Sequence, residues 1–332
     1  MTDVPSPPTK TLTEIFNHFV KESNTNIPTT KGRLLIQEAN ERKTYGRDIL
    51  DMDEAGYADK AIDRYIAKSM RYTHMGSYSE WGNDLNLQFI MFAERVKDPK
   101  AVPIKEERDI LLVMDHELGH ITIPLPQMGG GQQYQATLME NTADAYALIR
   151  FFQRNPQETE TKNNIVDPFS RAIRLVALGD TVHFSSFLLQ AVIDERKNTD
   201  YGTLTPKETQ LLARKFAMQY TPTPQQCKDL NAKFKDVQDA HYRNSLGSLV
   251  WLKLLAENAI KDTNPYTFKV AKLVLDKYFE GNFKLGEMKL EFNDEYWNGI
   301  RAKLTVAAEN INKQPPVVTP KPKKQAGLRQ FS

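Results

Sequence analysis

Apolar residues recur three and four positions apart along most of this chain, and the elements they predict are mainly helices. Thr11 to Glu22 places Leu12, Ile15, Phe16, Phe19 and Val20 on one helical stripe. Thr30 to Arg71 reads as helical stretches mixed with turns, and its last part, Tyr57 to Met70, repeats the stripe. Two further helices are expected over Glu106–Ile121 and from about Gln135 to Arg154, separated by the flexible Gly129-Gly130-Gly131. After a polar loop over 155–164, Pro168 stands where proline opens a helix. From there a period of about 3.6 residues persists over 168–178, 181–196, 206–219, 223–243, 245–261, 264–280 and 294–311.

One segment reads differently. Gly76, Ser77, Ser79, Gly82 and Asn83 supply turn chemistry, and Leu85, Leu87, Phe89 and Met91 then recur at every second position. That pattern predicts a strand over Leu85–Ala93, with Arg71–Trp81 as its antiparallel partner. The fold class is therefore mainly α with a small β-sheet, an α+β chain. Its expected parts are a flexible lead over 1–10, a strand-containing region over 11–160, a helical region over 161–312 and a disordered tail over 313–332 rich in Pro, Lys and Gln.

Charge and composition exclude more than they assign. Of the 332 residues 26% are charged, and the net charge is +2, so no global field favours nucleic acid. Much of the basic excess lies in the tail, at Lys321, Lys323, Lys324 and Arg329. No apolar run reaches the length of a membrane span. Cys227 is the single cysteine, which forbids an internal disulfide. The first ten residues lack the basic start and apolar run of a secretory signal. A cytoplasmic protein is the default expectation; export by a route without a cleavable signal is compatible with it.

The chemistry is concentrated in Asp115-His116-Glu117-Leu118-Gly119-His120, which contains H-E-x-x-H. Positions i and i+4 share one helix face, so two imidazoles can reach a single ion. Glu117 can then touch a water on that ion without binding it. Catalytic zinc takes three protein ligands and keeps one open position. The third candidate is Glu140, separated from His120 by nineteen residues, with Asp144 four residues further along the same expected helix. One of these carboxylates can bind the metal while the other fixes the tautomer of a ligand histidine. The bland alternative, two histidines satisfied by hydrogen bonds, leaves Glu117, Glu140 and Asp144 unexplained on apolar helices.

His116, Glu117, His120, Glu140 and Asp144 together resemble the signature of the gluzincins, the thermolysin-like zinc peptidases. The resemblance covers about residues 106–152 and implies a zincin-like metallopeptidase core. It also implies Zn2+ as cofactor, bound by His116, His120 and Glu140, with Glu117 as general base and a protein or peptide as substrate. A second oxyanion donor is usual in that group. His183 is the first candidate, His241 the second and Tyr134 the third. Gluzincin-like enzymes place the edge strand of their sheet before the zinc helix, where Leu85–Ala93 falls; an extended peptide adds to such an edge, whereas a core strand has none free. A zinc-stabilised interaction protein without catalysis is the competing reading, and a host-directed effector on the same fold is compatible with either. Glu117 discriminates, because a structural zinc site needs no base.

Three weaker signals are discounted. Asp51 to Gly56 faintly suggests a calcium loop, but Ala55 and Ile62 stand where oxygen ligands are needed. The triple glycine has no Gly-Lys-Ser/Thr after it and is not a phosphate loop. Cys227 has no activating neighbour in sequence and reads as an inert thiol.

Overall fold

The computed structural model describes residues 10–26, 32–38, 42–69, 76–78, 87–92, 104–126, 131–159, 163–244, 249–280, 284–285, 288–289 and 295–313. The lead over 1–9, most of the basic tail and residues 127–130 of the glycine loop lie outside them. The chain divides into two compact units, residues 1–238 and 239–332.

Helix α1 (Leu12–Asn26) opens on a reciprocal cap. Thr11 Oγ1 accepts the Glu14 amide at 3.2 Å, and Glu14 Oε2 accepts the Thr11 amide at 2.7 Å. Its buried stripe of Leu12, Ile15, Phe16, Phe19 and Val20 faces the sheet and the helices that follow. The sheet is built from β1 (Arg33–Glu38), β2 (Lys43–Tyr45), β3 (Gly76–Tyr78) and β4 (Leu87–Phe92), in the order β2-β1-β4-β3. β1 runs parallel to β4, and the other two pairings are antiparallel. One face buries Leu35, Leu87, Phe89 and Met91 against Ala58, Ala61 and Ile62 of α2 (Met52–Ser69). The other buries Leu34, Ile36 and Ile90 in the main core.

Two expectations change here. Residues 33–38 and 43–45 are strands, not helix or turn. The strand expected over 85–93 is β4 with β3 as its antiparallel partner, but β4 lies inside the sheet and, among the described residues, β3 and β2 are its outer strands. The Asp51–Gly56 stretch is a helix start: Asp51 Oδ1 accepts the Glu54 amide at 2.9 Å, and Glu54 Oε2 accepts the Asp51 amide at 3.0 Å.

α3 (Ile104–Thr122) and α4 (Gly131–Arg154) share the most extensive contact between helices in the first unit. α4 is buried around most of its circumference from Leu138 to Phe152, because it packs on α3 and also on the helices that follow. Those it packs on are α6 (Ser186–Glu195) and α7 (Pro206–Tyr220), and α5 (Pro168–Leu178) packs on α6. Asp167 caps α5 by accepting the Ser170 amide, Pro168 fills its first turn, and Gly179 ends it at φ 74°. The helical pattern expected over 181–196 is helix only from Ser186, so residues 181–185 form a turn. α8 (Pro224–Asn244) carries the boundary between the units.

The second unit contains α9 (Leu249–Ile260), α10 (Pro265–Phe279), a short hairpin of β5 (Lys284–Leu285) and β6 (Met288–Lys289), and α11 (Glu295–Asn312). α9 packs on both α10 and α11. No helix among the described residues is long and apolar enough to cross a membrane.

Candidate metal centre

α3 and α4 approach closely because Gly119 on α3 lies against Ala143 on α4. The contact sits one residue before His120 and three after Glu140, so it sets the distance across which the candidate ligands face each other. His116 and His120 project from one face of α3 with their Nε2 atoms 3.2 Å apart and their rings nearly perpendicular at 86°. Glu140 reaches across from α4. Its Oε2 lies 3.3 Å from His116 Nε2, and its Oε1 lies 3.6 Å from His120 Nε2. One ligand atom from each of the three falls within 4.8 Å of the other two.

This trio fits a divalent cation. Two imidazole nitrogens that face each other at 3.2 Å can share at most one proton along that line. Glu140 Oε2 is buried without a hydrogen-bond partner. A cation among the three would satisfy these atoms together, and two imidazoles with one carboxylate are a donor set of catalytic zinc. The side chains of His116, His120 and Glu140 keep exposures of 10%, 13% and 21%, so the cluster has a face open to solvent.

Behind His116 stands Asp144, fully buried, with Oδ1 2.9 Å from His116 Nδ1. Arg171 Nη2 donates to Asp144 Oδ1 at 2.5 Å, and Ser185 Oγ donates to Oδ2 at 2.5 Å. Burial favours the neutral forms here, and the charges overrule it. His116 is raised to about 10 by Asp144 and Glu140 against the opposing effect of burial. Glu140 and Asp144 are both pushed up by burial and held below the usual carboxylate range, Glu140 by the two histidines and Asp144 by Arg171 and His116.

Glu117, on the same helix, is buried, and its negative charge acts on His116. His183 lies in the turn between α5 and α6. Asp180 Oδ1 accepts its ring Nδ1 at 2.8 Å and its amide at 3.3 Å, while Asp180 Oδ2 accepts Arg174 at 2.6 Å. Burial raises the Asp180 carboxyl, but His183 and Arg174 outweigh it and leave the group at about 2. His183 Nε2 is thereby held 3.6 Å from Glu140 Oε2, at the margin of the trio. Tyr134 is half-buried in the first turns of α4, and burial together with the Cys227 thiol raises its hydroxyl. Cys227 is itself buried, and burial pushes its thiol up, which makes it a poor nucleophile. The side chain of His241 lies outside the described residues.

A second charged cluster flanks α3. Asp115, fully buried beside His116 in sequence, accepts from Arg154 at both oxygens and lies 3.5 Å from Arg150 Nε. Both arginines continue to Glu22 on α1. This cluster ties α1, α3 and α4 together next to the first histidine. Neither it nor the Arg171–Asp144–Ser185 group carries a sequence signal, because the partners lie 27 to 132 positions apart and meet only through tertiary packing.

A scan of family models, a search of curated proteins and a search of solved structures each gave no match to this chain.

Proposed function

We propose that this chain is a zinc-dependent peptidase, with the metal held by His116, His120 and Glu140 and with Glu117 as general base. The observation that carries this reading is the convergence of those three side chains within 4.8 Å on a partly open face. Glu117, the base in this reading, lies on the same helix as both histidines.

Zinc bound there would lower the pKa of a bound water toward about 7 and polarise a peptide carbonyl. The side chains supply the rest. Glu117 takes the proton of the attacking water and delivers it to the departing amine nitrogen. Asp144 Oδ1, 2.9 Å from His116 Nδ1, holds the proton of the ring at Nδ1 and leaves Nε2 for the metal. His183, oriented by Asp180, donates from Nε2 to the oxygen that gains charge as the carbonyl is attacked. An extended peptide would add to the outer strand β3 by main-chain hydrogen bonds, since β4 is paired on both sides.

Incubation with a mixed peptide library tests the proposal. The parent protein is expected to cleave, to stop on chelation and to recover with zinc. Glu117→Gln should keep one zinc per chain while its rate falls by about 10²–10⁴. Full cleavage by Glu117→Gln removes the assignment of the base.

A further inference from the structure

Asp144 has no exposure to solvent, and a lone buried carboxylate is costly unless its charge is matched. His116 cannot match it when metal is bound, because a ligand imidazole is neutral. Arg171 can. It is itself buried, and its Nη2 lies 2.5 Å from Asp144 Oδ1. Ser185 takes the other oxygen at 2.5 Å. With His116 Nδ1 at 2.9 Å, three groups fix the plane and direction of one carboxylate.

Both residues stand against their local helix preferences. Ser185 occupies the N-cap of α6, where a serine hydroxyl ordinarily accepts a backbone amide, yet it makes no capping bond. Its hydroxyl is directed to Asp144 instead. Arg171 lies near the start of α5, where the helix dipole disfavours a cation. Local rules are broken twice in favour of one buried carboxylate, and such conflicts mark functional positions.

We infer that Arg171 and Ser185 are positioning residues for the metal: by holding both oxygens of Asp144 they fix the His116 ring and set the affinity of the trio for zinc. The inference rests on the zinc reading given above. It makes the α5–α6 segment, which also carries Asp180 and His183, a support for the metal as well as for the second histidine.

The test is the zinc dissociation constant of the full-length protein, read by competition with a chromophoric chelator. Ser185→Ala and Arg171→Gln should each weaken zinc by about 10- to 100-fold, the usual cost of losing outer-sphere support. In an Asp144→Asn background the same changes should have no further effect, because they act through that carboxylate. The visible spectrum of the cobalt-substituted protein should change in Ser185→Ala and stay unchanged in the surface variant Arg108→Ala. Ser185→Thr, which keeps the hydroxyl, should restore affinity. Should Arg171→Gln fail to fold, Ser185→Ala decides alone. Parent-like affinity in Ser185→Ala, or equal losses with and without Asp144, overturns the inference while leaving the metal site standing. A parent that binds no zinc overturns the peptidase reading and this inference together.

Discussion

A methyl group added to Gly119 would lie 2.9 Å from the Ala143 Cα, closer than carbon atoms pack. The obstacle is backbone, so no side-chain rotation relieves it. Gly119→Ala gains about 1 kcal/mol of helix propensity and loses about 1–3 kcal/mol to overpacking. The larger consequence is geometric: α3 and α4 must separate where the histidines face Glu140. The expected result is a modest loss in thermal stability with a disproportionate loss of zinc affinity. Unchanged affinity would mean that the crossing does not set the ligand distances.

On the proposed zinc reading, binding of the metal displaces a proton from His116. In the metal-free protein burial lowers that ring's pKa and the Asp144 and Glu140 carboxylates raise it further, to about 10 from 6.5. A raised folded-state pKa contributes stability that is fully present below 6.5 and is lost as pH rises through about 10. The metal-free protein should therefore lose stability across that window, measured by urea unfolding. Titration with zinc at about pH 8 should release a proton, measured by calorimetry in buffers of different ionisation enthalpy. No release at that pH would contradict a protonated His116 between two carboxylates.

The Asp115 cluster and a surface pair make a direct comparison. Asp115 is fully buried against Arg154, so Asp115→Ala breaks a buried pair and leaves Glu22 as the one carboxylate of the cluster, and it should cost about 3 kcal/mol. Arg108 and Glu158 meet at 2.8 Å with exposures of 43% and 42%. Arg108→Ala should cost at most about 1 kcal/mol. Equal effects in chemical denaturation would remove the structural role given to the cluster.

How far the sequence discloses these features follows from their range. Helices were legible because their stripes are local: the spacing over 168–178 coincides with α5, and 206–219 ends one residue short of α7. β1 was hidden because Leu34, Leu35 and Ile36 are all buried. A strand covered on both faces and paired in parallel shows no alternation. β4 did alternate and was found, but its place inside the sheet depends on β1, so its edge status was not readable. His116, His120, Glu140 and Asp144 were legible because i and i+4 spacing on a helix is itself geometry. Arg171 and Ser185 were not, since an arginine in a first turn and a serine at a helix start have ordinary surface and capping explanations.

The most direct test of the central claim is X-ray absorption at the zinc edge on the purified, zinc-loaded protein and on Glu140→Ala. The account predicts one zinc per parent chain with two imidazole nitrogens and oxygen ligands at about 2.0–2.2 Å, and a site that loses its metal or its carboxylate oxygen in the variant. A sulfur neighbour at about 2.3 Å, or a parent spectrum unchanged by removing Glu140, would contradict it.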